Sequence, residues 1–156
     1  MERVPITRDG FEKLRQELQR LQKEERPKVI KAIEEARGHG DLSENAEYEA
    51  AKEKQALIEG RIADIQEKLA HSEIVETNGS DGGRVMFGLT VVLEDLDSGE
   101  ELTYKLVGPY EADIQAGTLS VSSPLGKALI GKEEGDTVSV RTPKGLRQLE
   151  IVEVRP

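Results

Sequence analysis

The segment from Gly38 to Gln55 contains the residues best suited to chemistry. It includes Asp41 and Glu44, and no lysine or arginine lies between Arg37 and Lys52. On a helix, the i,i+3 spacing of Asp41 and Glu44 places both side chains on one face, with Cβ atoms about 5–6 Å apart. Carboxylate oxygens suit hard divalent cations, but two of them alone bind Mg²⁺ weakly. The pair is therefore consistent with an incomplete magnesium site.

The same residues also fit a helix cap. In the sequence DLSE, Asp41 stands at the cap position and Glu44 follows three residues later, which is the spacing of a capping box. A helix N-terminus favours nearby anions by about 0.3–1 kcal/mol. Capping does not account for the further acids Glu47 and Glu49, because clustered carboxylates repel one another unless a cation intervenes. Spacing alone leaves both interpretations open.

Two other stretches resemble ligand-binding motifs but lack essential residues. Gly126–Glu133 (GKALIGKE) approaches a phosphate-binding loop, but Glu133 stands where a hydroxyl is needed for Mg²⁺. Asp95–Glu101 (DLDSGEE) begins like a calcium loop, but the twelfth position of that loop is Leu106 instead of glutamate. We therefore interpret the first stretch as a helix with its stop and the second as a hairpin turn.

Composition excludes several classes of protein. The chain has no cysteine, which excludes disulfides and thiolate metal sites, and its net charge of −9 argues against independent nucleic-acid binding. No apolar run approaches the roughly 20 residues that span a bilayer, and the N-terminus does not resemble a signal peptide. We expect a cytoplasmic protein without a membrane partner.

The pattern of apolar residues predicts a helical hairpin over residues 1–77, with its acidic tip at 38–49. Thr7 stands at the expected N-cap of the first helix, and Pro27 should kink or reset that helix. The two glycines of GHGD permit the positive φ values of a tight reversal. The seam of the first helix is Phe11, Leu14, Leu18 and Leu21, followed after polar Glu25 by Val29, Ile33 and Ala36. The seam of the second helix is Tyr48, Ala51, Gln55, Ile58, Ile62, Ile65 and Leu69.

Residues 78–156 have the pattern of a second, β-rich domain. TNGSDGG, residues 77–83, has the composition of a linker. Two pairs of alternating segments flank the turns DSGE and PKGL, and each pair predicts a β-hairpin. Between the pairs, Ser123 and Pro124 should begin one short helix that Gly131 ends. The fold class is therefore α+β: an antiparallel two-helix coiled-coil hairpin followed by a small, mostly antiparallel β domain.

Two stretches carry a family resemblance that extends over the whole chain. EARGHGDLSENAEYEAAKEKQ (35–55) and SPLGKALIGKEEGDTVSVRTPKG (123–145) resemble the Gre family of transcript-cleavage (transcription elongation) factors, and the GreA type in particular. The resemblance implies a coiled coil that enters the secondary channel of bacterial RNA polymerase. It also implies a C-terminal domain like that of FK506-binding proteins (FKBP-like), which grips the channel rim.

The resemblance assigns roles to individual residues. Asp41 and Glu44 match the two acidic tip residues of the family, which implies a catalytic Mg²⁺ bound jointly with polymerase and none bound in isolation. The implied activity is cleavage of the nascent RNA near its 3′ end in backtracked complexes, by polymerase itself and not by a stand-alone nuclease. We expect Arg37, Asn45 and Tyr48 to support the tip. The polymerase-binding residues are expected at Ser123, Pro124, Leu125 and Gly126.

Two alternatives remain. A coiled-coil module without chemistry could plug the channel or cradle client proteins, and it would need the hairpin but not the acid pair. A prolyl isomerase is suggested by the C-terminal fold type alone. It ranks low because that activity needs an aromatic-lined pocket, and the domain offers just Phe87, Tyr104 and Tyr110.

Overall fold

The computed structural model describes residues 3–38, 42–76 and 83–156, and for residues 42–45 it describes the backbone alone. The chain divides into two compact units. We call Phe11–His71 the arm, and Met1–Gly10 with Ser72–Pro156 the sheet unit. The domain boundary predicted at residue 77 and the predicted linker, residues 77–83, lie outside the described part of the chain except for Gly83.

The arm is the predicted helical hairpin. Helix α1 (Arg8–Arg20) begins in the sheet unit and continues through a π-helical turn, Leu21–Glu25, into α2 (Arg26–Arg37). Helix α3 (Leu42–His71) returns alongside α2 and is 30 residues long, about 45 Å. The buried seam consists of Leu21, Val29, Ile58, Ile62 and Ile65, with Leu14, Leu18 and Leu69 packed against it. All seven predicted seam positions of α3 are buried or half-buried, which confirms the periodicity.

Pro27 resets the helix without breaking it. Proline has no amide hydrogen, and its ring crowds the carbonyl four residues earlier. The chain accommodates it through the π-helical turn, in which the amide of Arg26 donates to Leu21 O, five residues back. The seam advances by four residues from Leu21 to Glu25 and again to buried Val29, and the wider π-helical turn lies in this interval.

One detail of the predicted reversal is wrong. Gly38 caps α2 with φ −70° and ψ −14°, so it adopts a right-handed conformation and not a positive φ. Its amide donates to Glu34 O and Glu35 O, each at 3.2 Å, and this continues the hydrogen-bond ladder of the helix. Gly40 lies outside the described residues.

The sheet unit is built on five strands in the order β5-β4-β3-β7-β6. They are β3 (Thr90–Asp95), β4 (Glu101–Val107), β5 (Thr118–Ser120), β6 (Thr137–Thr142) and β7 (Gly145–Arg155). The predicted hairpins β3–β4 and β6–β7 are both antiparallel. Short helix α4 (Pro124–Leu129) adds Leu129 to a core that includes Leu93, Leu106 and Ile151. The α+β fold is confirmed.

A second, two-stranded sheet joins distant parts of the chain. Strands β1 (Val4–Ile6) and β2 (Ser72–Ile74) pair in parallel, with Val4 opposite Ser72 and Ile6 opposite Ile74. This pairing draws the first residues of the chain into the sheet unit, and Ile6 is fully buried there. Among the described residues, no helix is both long enough and apolar enough to cross a membrane.

Candidate functional site

The acidic tip lies where α2 ends and α3 begins. Helix α3 starts at Leu42, so Asp41 directly precedes its first residue and Glu44 lies in its first turn. Asp41 and the side chains of Glu44 and Asn45 fall outside the described residues, so their roles stay predictions. Because α3 begins at Leu42, the capping and the metal-binding interpretations both concern the N-terminal end of α3.

Arg37 and Tyr48 connect the two helices beside the tip. The guanidinium carbon of Arg37, the last residue of α2, lies 5.8 Å from the ring centroid of Tyr48 on α3. A cation over an aromatic face at this distance contributes about 0.5–1 kcal/mol at an exposed site. Both residues were expected to support the tip, and this contact is a physical means by which they can do so.

The described surroundings of the tip are strongly acidic. Glu34, Glu35, Glu47 and Glu49 are all exposed, and Arg37 is the only lysine or arginine in the sequence between Lys31 and Lys52. A surface of one sign raises the local concentration of oppositely charged ions. Within the described part of the chain, no group of three or more acidic, histidine or cysteine side chains is placed to hold a metal ion.

A bidentate ion pair joins the helices farther along the arm. Arg26 donates from Nε and Nη2 to the two carboxylate oxygens of Glu59, both at 2.7 Å. These hydrogen bonds from Arg26 are the main reason that the pKa of Glu59 lies below its ordinary value. Sequence reasoning missed this pair. A signal was present in the sequence. Arg26 lies 11 residues before Arg37, and Glu59 lies 11 residues after Tyr48. In antiparallel helices, equal spacing from one contacting pair places the second pair opposite each other.

A second link joins the arm helices through Glu17. Its carboxylate accepts hydrogen bonds from Arg20, at 2.8 and 3.0 Å, and from Arg61 on α3, at 3.3 Å. Chiefly through the hydrogen bonds from Arg20, the pKa of Glu17 is lowered. Together with the buried seam, these ion pairs hold α1 and α2 to α3.

The predicted polymerase-binding residues form the start of α4. Ser123 Oγ accepts from Gly126 N at 3.0 Å and donates to Ser120 O at 2.6 Å, so Ser123 is the predicted N-cap. A Cβ on Gly126 would lie closer than 3.0 Å to Ser120 O, which makes glycine necessary there. Pro124 is exposed and Leu125 is half-buried.

An apolar groove of about 400 Å³ is lined in part by α4, through Lys127. It is lined by Pro5, Val75, Phe87, Val121, Lys127 and Ile130, all of which belong to the sheet unit. Ile130 is 40% exposed although it is a large apolar residue. Phe87 is the only aromatic residue among the lining side chains, so the groove does not have the aromatic lining of a prolyl isomerase site.

Two family models, both of transcription elongation factors, together match most of the chain. Residues 4–74 match the family described as "Transcription elongation factor, N-terminal" (GreA_GreB_N). Residues 80–156 match "Transcription elongation factor, GreA/GreB, C-term". The chain belongs to the GreA/GreB family of transcription elongation factors.

Similar proteins cover the whole chain. Transcription elongation factor GreA of Syntrophobacter fumaroxidans is 66% identical over 155 residues, 99% of each chain. That of Alkalilimnicola ehrlichii is 56% identical over 156 residues, again 99% of each. Among solved structures, the chain is similar to the GreA factor homolog 1 (Gfh1) protein of Thermus thermophilus. It is 34% identical to that protein, with a TM-score of 0.46 and coverage of 99% of this chain and 100% of the other.

Proposed function

We propose that this protein inserts its arm into the secondary channel of bacterial RNA polymerase and stimulates Mg²⁺-dependent endonucleolytic cleavage of nascent RNA in backtracked complexes. Such cleavage would rescue arrested elongation. The observation that carries the proposal is the arm itself, in which α2 ends at Arg37 and α3 begins at Leu42, directly after Asp41 in the sequence. A preformed rod loses little conformational entropy when it enters a narrow channel. Membership of the GreA/GreB family supports the same function.

The donor chemistry of Asp41 and Glu44 fits Mg²⁺, because both residues offer carboxylate oxygens. Two ligands make an incomplete shell, so we propose that the ion is held jointly with RNA polymerase and not by this protein alone. When bound, the metal would neutralise charge on the attacking and leaving oxygens of the RNA phosphodiester. This chain would hold the two carboxylates at the tip, and the exposed acids around them would favour the approach of a cation. In this mechanism the protein activates cleavage by polymerase and is not itself a nuclease.

We propose that the start of α4 contributes to binding of polymerase. Ser123 and Gly126 are engaged in the cap of that helix. They would therefore hold the helix in place for binding and would not themselves contact polymerase. Exposed Pro124 and half-buried Leu125 are available for contact.

The test is to add the protein to stalled, backtracked elongation complexes with Mg²⁺ and to look for shortened RNA that can be extended again. Substitution of both Asp41 and Glu44 by alanine should abolish cleavage and leave binding of polymerase intact. The matched control is Glu47→Ala with Glu49→Ala, which removes two exposed acids from the same region and should retain most of the activity. Cleavage by the Asp41/Glu44 variant at the rate of the unmodified protein would show that these two residues do not carry the chemistry. If the unmodified protein bound polymerase without stimulating cleavage, the arm would be a non-catalytic module that binds or plugs the channel.

A further inference from the structure

The N-terminus of α1 has an unusual cap. Thr7 precedes the first helical residue, and its Oγ1 accepts a hydrogen bond from Gly10 N at 3.0 Å. In a capping box, a glutamate or glutamine at the third helical position would also accept from the amide of the cap residue. Here the third position is Gly10, which has no side chain. The sequence near Thr7 therefore supplies half of a capping box.

Glu111 provides the other half. It follows β4 in the sheet unit, 104 positions beyond Thr7, and its Oε2 accepts from Thr7 N at 2.8 Å. Its Oε1 accepts from the Thr7 hydroxyl, so that hydroxyl donates to Glu111 while it accepts from Gly10. Oε2 also accepts from Gly108 N at 2.9 Å. One carboxylate thus receives three hydrogen bonds, and two of them come from the cap residue of α1.

Two glycines make room for this arrangement. A Cβ on Gly10 would lie closer than 3.0 Å to Glu111 Oε1, and a Cβ on Gly108 would lie closer than 3.0 Å to Pro5 O. Real Cβ atoms do not show such separations. Both glycines are buried, and Gly108 has no positive φ that would itself require glycine. The absence of a side chain at residue 10 is therefore explained by the space that the Glu111 carboxylate occupies.

We propose that Glu111 completes the capping box of α1 across 104 residues, and that it is a positioning residue for the cleavage-stimulating activity. The cap fixes the first turn of α1, Arg8–Gly10, as part of the sheet unit. Without it, the amides of Thr7 and Gly108 lose their partner, and the root of the helix that continues into the arm can fray. The positioning role rests on the proposed function, whereas the cap itself does not.

Hydrogen exchange of the free protein tests the cap. Glu111→Ala removes both carboxylate oxygens, and with them the acceptor of Thr7 N and Gly108 N. We expect the amides of Thr7, Gly10 and Gly108 to exchange about tenfold faster, while those of Ile58 and Ile62 in α3 stay unchanged. The control is Glu101→Ala, which removes a carboxylate from an exposed position on β4. Unchanged exchange at Thr7 and Gly108 would overturn the proposal.

A double-mutant cycle tests the steric part. Gly10→Ala alone should lower the melting temperature, because the new methyl group displaces the Glu111 carboxylate. In a Glu111→Ala background the same change should cost much less, because the carboxylate is gone and alanine is the better helix former. Losses that simply add would show that Glu111 and Gly10 act independently, and would contradict the cap.

Cleavage assays test the positioning role. For Glu111→Ala, the maximal cleavage rate at saturating protein should fall about tenfold, and the concentration for half-maximal cleavage should change little. An unchanged maximal rate would overturn the positioning role even if exchange at Thr7 increased. Failure of the proposed function is separately visible, because the unmodified protein would then stimulate no cleavage at all.

Discussion

At the scale of the residue, the contact between Arg37 and Tyr48 joins two side chains that flank the predicted catalytic pair in the sequence. The Tyr48 side chain is half-buried in the seam, and its ring faces the guanidinium of Arg37. The contact therefore has an apolar part and an electrostatic part, which different substitutions can separate.

Replacement of Tyr48 by leucine should retain the apolar part and remove the attraction of Arg37 for an aromatic face. We expect the free energy of local opening at this end of the hairpin to fall by about 0.5–1 kcal/mol. Faster amide exchange in the last turn of α2, together with slower RNA cleavage, would show the loss. Tyr48→Phe is the control, since it keeps the ring and should behave like the unmodified protein. Equal behaviour of the leucine and phenylalanine variants would mean that packing alone holds the tip.

Asp95 in the sheet unit makes stability depend on pH. Its Oδ1 accepts from the amides of Ser98 and Asp97, and its Oδ2 accepts from Arg147 Nε at 2.8 Å. The Ser98 amide is the largest cause of the lowered pKa of Asp95, followed by Arg147 and the Asp97 amide. Because the folded pKa lies below the unfolded value of about 3.9, the stabilisation is complete above that pH and is lost as pH falls through the folded pKa.

Asp95→Asn should therefore lower the free energy of unfolding most at neutral pH. The difference from the unmodified protein should be constant between about pH 5 and 7 and shrink below about pH 4. Urea unfolding, followed through amide signals of the sheet unit, measures it. Glu94→Gln, at an exposed neighbouring position, controls for simple loss of charge. A difference that persisted undiminished into acid would contradict the assigned cause.

At the scale of the element, local periodicity was sufficient to predict the arm but not the pairing of distant segments. Ile58, Ile62 and Ile65 were predicted to be buried because several helical turns repeat the same spacing, and all three are buried. Strands β1 and β2 have three residues each and pair over 68 positions, so neither contains enough alternation to be recognised. The roles of Asp41 and Glu44 stay predictions, because spacing supports both a cap and a metal site.

The seam of α3 should determine whether the arm can act. Ile62 is 3% exposed in the seam, whereas Leu57 on the same helix is 71% exposed. Ile62→Ala should cost about 2–5 kcal/mol of arm stability and reduce RNA cleavage, although Asp41 and Glu44 are untouched. Leu57→Ala removes a similar volume and should stay within about 0.5 kcal/mol.

Thermal unfolding followed by helical circular dichroism, beside a cleavage assay, compares the Ile62 and Leu57 variants. Full cleavage by an Ile62→Ala protein with a melted arm would show that the chemistry does not need a rigid hairpin.

At the scale of the whole molecule, the proposed chemistry and the packing of the hairpin depend on different residues. The buried seam and the ion pairs Arg26–Glu59 and Glu17–Arg61 maintain the hairpin, and none of them includes Asp41 or Glu44. Likewise, the hydrogen bonds that form the start of α4 lie entirely within the sheet unit. Loss of the acid pair should therefore leave a folded protein that still binds polymerase.

Such a protein should inhibit the unmodified one. If the Asp41→Ala, Glu44→Ala variant binds polymerase as tightly as the unmodified protein, a tenfold excess should reduce cleavage to about a tenth, because the two compete for one channel. The measurement is RNA cleavage in backtracked complexes at a fixed amount of the unmodified protein and rising amounts of variant. Ile62→Ala is the control, since a protein with a melted arm should compete less well. Absence of competition by the double variant would show that Asp41 and Glu44 contribute to binding itself, so that the tip could not be assigned to chemistry alone.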